Sequence, residues 1–299
     1  MEDDLTPVLE TQCGVLTTEQ ATMMFGRSRV RSRLKAQRWA QPYRAVVVTH
    51  NGPLTPEQRR WAHLLACPPR SVLGGLTALE LDGLQGFPPG KTFVVVPYGA
   101  RRPEIDGVVL HTSSFLDARD VNPVRTPPRT RTARSVVDAA SWSRAPRRAR
   151  VIVLATAQQG LVRTPDLRDA LSRRGRCRHR ALIVESYLDA AGGIQSLPER
   201  DFDLLRRSLH LPEPTRQRPV RRADGRFYLD VAWDAYGVAC EIHGIPHMRV
   251  LQWDSDLMRA NEIVIGGPKL LIFSSYAVRH EQDAVGDQLV RLFRNAGWR

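Results

Sequence analysis

RFYLDVAWDAYGVACEIHGIPH, residues 226–247, decides how the C-terminal third of this chain folds. Apolar and polar residues alternate from Phe227 to Trp233 and again from Val238 to His243, the period of a half-buried strand. Between the two runs, Asp234-Ala235-Tyr236-Gly237 carries the Asp and Gly of a turn, so the pair reads as a β-hairpin. With Trp233 paired to Val238, counting outward sets Asp230 opposite Glu241 and Tyr228 opposite His243. Directly opposed side chains have Cβ atoms about 4.5–5.5 Å apart, where like charges repel. Two carboxylates so placed call for a compensating positive charge, and a divalent cation is the obvious one.

Outward from the hairpin, the pattern extends on both sides. Gly192-Gly193 marks a boundary, and Ser196-Leu197-Pro198-Glu199 has the spacing of a capping box. A helix then carries Phe202, Leu205 and Leu209 on one face, and Leu211-Pro212-Glu213-Pro214 ends it. Arg216, Arg218, Arg221 and Arg222 lead into the Asp230 strand, a place where backbone phosphates could lie. Beyond the hairpin, Gln252 to Val264 reads as a helix, Leu270 to Ser274 as a buried strand, and Asp283 to Asn295 as an amphipathic helix. Strands flanked by helices give an α/β core.

The combination of Asp230, then Glu241-Ile242-His243-Gly244 and His247, with a later Asp256-Leu257-Met258-Arg259, resembles the restriction-endonuclease-like nucleases of the PD-(D/E)XK type. Within that group it is most similar to very-short-patch-repair-like endonuclease domains. The resemblance implies a restriction-endonuclease-like α/β domain over 193–299 that hydrolyses DNA phosphodiester bonds. The glutamate matching Glu199 approaches the metal site in that family, although Glu199 could equally serve only the helix start. Asp230 and Glu241 would hold Mg²⁺ or Mn²⁺, the carbonyl of Ile242 being a further ligand, since hard oxygen donors select such ions over zinc. The third site position, commonly Lys or Asp, is His243. Either His243 or His247 would orient a bound water, act as general base or protonate the leaving oxygen. The competing reading leaves these groups solvated on an exposed sheet face, in a non-catalytic regulator.

Residues 11–50 carry the features of a small winged helix-turn-helix, which sets a domain over 1–52. Thr17 and Gln20 form a capping box opening a helix through Phe25, and Gly26 breaks it. Ser28 is expected to cap a second helix reaching about Gln37, with Val30 and Leu34 inward. Arg27, Arg29, Arg31, Arg33, Lys35 and Arg38 surround that stripe, and Pro42 to Thr49 suits the wing. This segment resembles the N-terminal domain of AbiEi-type antitoxins, and the resemblance implies a recognition helix in the major groove of double-stranded DNA. It also implies a protein partner from a toxin–antitoxin or defence operon. An amphipathic helix that happens to be basic is the plainer alternative.

The middle region, 53–192, is α+β: helices over 55–66, 76–84, 134–143, 149–159, 164–173 and 180–190, with strands at Thr92–Pro97 and Val108–His111. Leu110-His111-Thr112-Ser113 resembles a strand of the same antitoxin-like proteins, and His111 reads as structural. The arginine runs 144–150 and 173–180 read as solvated faces or phosphate-tracking patches.

Across 299 residues, 44 Lys and Arg stand against 31 Asp and Glu, a formal charge of +13. That excess favours a polyanionic partner, nucleic acid before membrane. Cys13, Cys67, Cys177 and Cys240 are scattered and read as reduced thiols. MEDDLTPVLE lacks the apolar stretch of a signal peptide, and no run reaches membrane-span length. A cytoplasmic, nucleoid-associated protein with a mixed α/β fold is the expectation.

Overall fold

The computed structural model describes residues 6–114, 116–190, 197–221, 227–243, 261 and 270–299. The chain forms two compact units, one of residues 1–152 and 160–180, the other of residues 153–159 and 181–299. Among the described residues, no helix is long and apolar enough to cross a membrane.

The first unit begins with α1 (Thr6–Thr11), β1 (Val15–Thr17), α2 (Thr18–Phe25), α3 (Arg27–Lys35), β2 (Ala40–Tyr43) and β3 (Val46–Val48). The three strands form an antiparallel sheet in the order β1-β3-β2. Alternation along these short strands splits their side chains between two cores. Leu16 and Val47 pack with Ala21 and Val30, while Val15, Val46 and Val48 join Trp61, Ala62 and Leu64 of α4 (Pro56–Leu65). The N-terminal sheet and the helix that follows it therefore share one buried cluster. Thr17 opens α2 and Thr55 opens α4 through reciprocal capping boxes with Gln20 and Gln58.

A second sheet of order β4-β5-β6 comprises β4 (Val72–Leu73), β5 (Thr92–Pro97) and β6 (Val108–Ser113), with β6 parallel to β5. Around it lie α5 (Gly75–Leu81), α6 (Thr132–Trp142) and α8 (Thr164–Arg174), with α7 (Pro146–Gln158) preceding α8. Gly75 has a φ of +52°, and its α-carbon lies against the Trp142 ring, so a side chain there would meet the indole.

The second unit holds α9 (Arg180–Ala190), α10 (Leu197–Ser208), β7 (Arg216–Arg221), β8 (Phe227–Trp233), β9 (Val238–His243), β10 (Leu270–Ser274), α11 (Ser275–His280) and α12 (Gln282–Asn295). Its sheet runs β10-β9-β8-β7, antiparallel except for the parallel β10–β9 pair. Val231, Trp233, Val238, Cys240, Ile242, Leu271 and Phe273 form the buried side, closed by Phe202 and Leu205 of α10 and Val285, Leu289 and Phe293 of α12. Trp233 stands edge-on to Phe293 at 5.0 Å and donates its indole N–H to the Pro212 carbonyl at 2.8 Å. Asn261 serves the outer edge of β10: its amide both accepts from and donates to the backbone of Ile272, each at 2.8 Å. The mixed α/β class expected from the alternation is what the chain adopts.

One local expectation is corrected. Ser28 does not cap α3: the helix begins at Arg27, and Gly26, at φ +78°, is its cap residue without any side-chain bond. Gly26 can take that left-handed turn at no steric cost, which leaves Ser28 free to sit inside the first turn. The arginine-rich stretch leading into the Asp230 strand forms a strand of its own, β7. Pro219 lacks the N–H a central strand needs, and β7 lies at the sheet's edge, where proline is tolerated.

Candidate nucleic-acid interface and carboxylate site

On α3, Val30 is buried and Leu34 packs beside it, so the opposite side of the helix faces solvent. Positions four apart stack on one face. Ser28 and Ser32 therefore run along the outer ridge, with Arg29 and Arg33 on one flank and Arg31 and Lys35 on the other. Small residues on the ridge and cations on both flanks suit a groove walled by two phosphate strands. Arg27, Arg29, Arg31, Lys35 and Arg38 are exposed and Arg33 half-buried; among the described residues, none of the six forms an ion pair. Arg27 and Arg29 also lie in the first helical turn, where the helix dipole disfavours positive charge. Stability alone would not put arginine there.

Several arginines elsewhere in the chain are matched by acid. Arg134 is buried and donates to Asp120 at 2.7 Å, to Asp138 at 2.8 Å and to the Ser113 hydroxyl at 3.0 Å. Arg173 reaches the other oxygen of Asp120 and Arg174 the other oxygen of Asp138, both at 2.8 Å. Two buried carboxylates thus bridge three guanidinium groups. Arg129 pairs with Asp82 at 2.9 Å, and Arg279 joins Asp201 and Glu185. The reading of the runs 144–150 and 173–180 as solvated faces or phosphate-tracking patches is corrected for three of their arginines, because Arg173 and Arg174 belong to this network and Arg150 is buried. The i,i+4 spacing of Arg134 and Asp138 was a usable signal for the pair. Nothing local pointed to Asp120.

His111 lies flat on Trp142, ring centroids 3.6 Å apart and planes within 1°, and its Nε2 is buried without a hydrogen bond. Burial, assisted by Arg102 and Arg174, pushes its pKa down to about 4. It is a neutral ring wedged into an aromatic stack, which fits a structural role.

In the second unit, β8 and β9 pair as the alternation demands: Tyr228 opposite His243, Asp230 opposite Glu241, Trp233 opposite Val238. The turn is a single 3₁₀ turn, Asp234–Tyr236, closed by left-handed Gly237. Because residues 231, 233, 238, 240 and 242 occupy the core side, positions 230 and 241 share the other face, where Glu241 is half-buried. The row continues on either side, with Arg218 opposite Asp230 and Ile272 beside Glu241. Arg221 falls on the opposite alternation of β7 to Arg218. β9 has strands on both edges, so the Ile242 carbonyl sits within a ladder, and a metal would use its second lone pair.

The side chains of Glu199, Arg218, Arg221, Asp230 and His243, and all of Arg222 and His247, lie outside the described residues. Among the described residues, no three His, Cys, Asp or Glu side chains converge as a metal-binding group.

No protein-family model matches the chain, and no curated protein matches its sequence. Functional assignment therefore rests on these two places alone.

Proposed function

We propose that this chain binds double-stranded DNA through α3 and cleaves DNA phosphodiester bonds at the Asp230–Glu241 row with Mg²⁺ or Mn²⁺. The observation that carries the proposal is the pairing register, which sets position 230 of β8 directly opposite position 241 of β9. Two carboxylates and a backbone carbonyl are hard oxygen donors of the kind those ions take. The ion would supply a bound water of lowered pKa and neutralise charge on the scissile phosphate. Asp230 and Glu241 would anchor it. His243, in line with Tyr228 at the end of β9, or His247 would orient the water and move its proton. The six cations of residues 27–38, without an ion pair among the described residues, support the DNA-binding half of the reading, because a polyanion would match them.

One observation favours a second reading, a non-catalytic DNA-binding regulator. The register sets position 218, an arginine, opposite position 230, so the sequence offers that row a positive charge of its own. Incubating supercoiled plasmid with Mg²⁺ or Mn²⁺ separates the two. Cleavage lost in both Asp230→Ala and Glu241→Ala supports the nuclease. Intact plasmid with the wild-type protein, together with DNA binding that fails in Arg29→Ala/Arg33→Ala, supports the regulator. Cutting that persists in both carboxylate variants refutes this site.

A further inference from the structure

In the first unit, a cleft of roughly 530 Å³ opens between α4, the loop before β5 and the start of β6. That volume lies within the ordinary range for small-molecule sites. His63 forms its floor. The ring is buried, its Nδ1 lies 2.7 Å from the Thr92 hydroxyl, and its Nε2 has no partner among the described residues. A Cβ placed on Gly107, which also lines the cleft, would lie 3.4 Å from the imidazole Cε1, so glycine there keeps the approach to the ring open. Burial, followed by the Arg59 charge, lowers the His63 pKa against the opposing pull of Asp106, which also lines the cleft.

The walls divide by chemistry. Tyr43, Leu54 and the prolines 56, 88 and 89 give an apolar side. Arg60 is matched by Glu80 at 2.7 Å, but Arg59 and Lys91, both exposed, have no ion pair among the described residues. Arg59 sits one helical turn before His63 on the same face of α4. Tyr43, its ring 5.8 Å from that of His63, belongs to β2. β2 pairs with β3, whose Val47 packs under Val30 of α3.

We propose that this cleft binds a small organic monoanion with an apolar body, held by Arg59 and Lys91 at the rim and hydrogen-bonded by His63 Nε2, and that its occupancy changes DNA binding by α3. The second clause rests on the reading of α3 given above; the first does not. Tyr43 is the link, since a ligand that packs on its ring restrains the hairpin supporting α3.

Benzoate is a suitable probe on the full chain, with benzyl alcohol as its uncharged counterpart and inorganic phosphate as an anion without an apolar body. Calorimetric titration is expected to show benzoate binding at millimolar concentration, and binding weaker by at least about fivefold for both control compounds. Arg59→Ala, at an exposed position, and His63→Gln should each weaken benzoate by a similar factor. Absence of benzoate binding up to about 10 mM, or equal binding by Arg59→Ala and wild type, overturns the site. DNA affinity measured with and without saturating benzoate tests the coupling: an unchanged affinity overturns it while the cleft stands. A wild-type chain that fails to bind DNA refutes the α3 reading, and the benzoate titration still decides the cleft.

Discussion

Neutralising the flanks of α3 gives the sharpest test of the DNA-binding surface. Arg29, Arg31, Arg33 and Lys35 flank the outer ridge and carry no compensating acid among the described residues. Each cation that contacts a duplex phosphate contributes about 0.9 to the slope of log K against log salt. If all four make contact, their share of the slope is about 3.6, which between 50 and 200 mM salt is roughly a hundredfold in affinity. Fluorescence anisotropy with a labelled duplex across that range reads it directly. The Arg29→Ala/Arg33→Ala variant should lower the slope by about 1.8, and the fourfold variant by about 3.6. Arg163→Ala is the control, because Arg163 is exposed but already paired with Asp166 at 2.8 Å. It should change the slope little. A slope unaltered in the fourfold variant, or lowered as much by Arg163→Ala, would show that α3 is not the contact surface.

Three further outcomes follow from the first unit. Arg134→Met leaves Asp120 and Asp138 buried with fewer partners, so urea unfolding should show a loss of about 3–5 kcal/mol; a loss below about 1 kcal/mol would mean that Arg173 and Arg174 suffice. The pKa of His111 lies at about 4 in the folded chain against an ordinary 6.5, so its stabilising contribution is complete above pH 6.5 and lost as pH falls towards 4. His111→Phe, which keeps the stack on Trp142, should remove at most about 3 kcal/mol of that pH dependence, read by comparing thermal unfolding of the two proteins at pH 7 and pH 4.5. Gly75→Ala puts a methyl group into the Trp142 ring from a positive-φ backbone and should cost about 2–4 kcal/mol, measured by the same unfolding assay.

Much of the architecture could be read without coordinates where the determining information is local. The β8–β9 register follows from a period of two residues and one turn, so Asp230 meets Glu241 as counted along the chain. The capping box at Thr17 spans only three residues, and the Val30–Leu34 stripe of α3 spans four. Short loops and short periods leave few alternatives for the backbone. What depended on distant segments was hidden. Asp120 meets Arg134 and Arg173 across 14 and 53 residues, and no local pattern announces that two arginines of a basic run will be taken up by two buried carboxylates. β7 is a strand because β8 offers it an open edge, and that same pairing brings Arg218 opposite Asp230. Likewise, the His63 cleft exists only once α4, β5 and the start of β6 are packed together. Charge type is written in the chain, but whether a given charge is matched or left for a partner is settled by which segments come into contact.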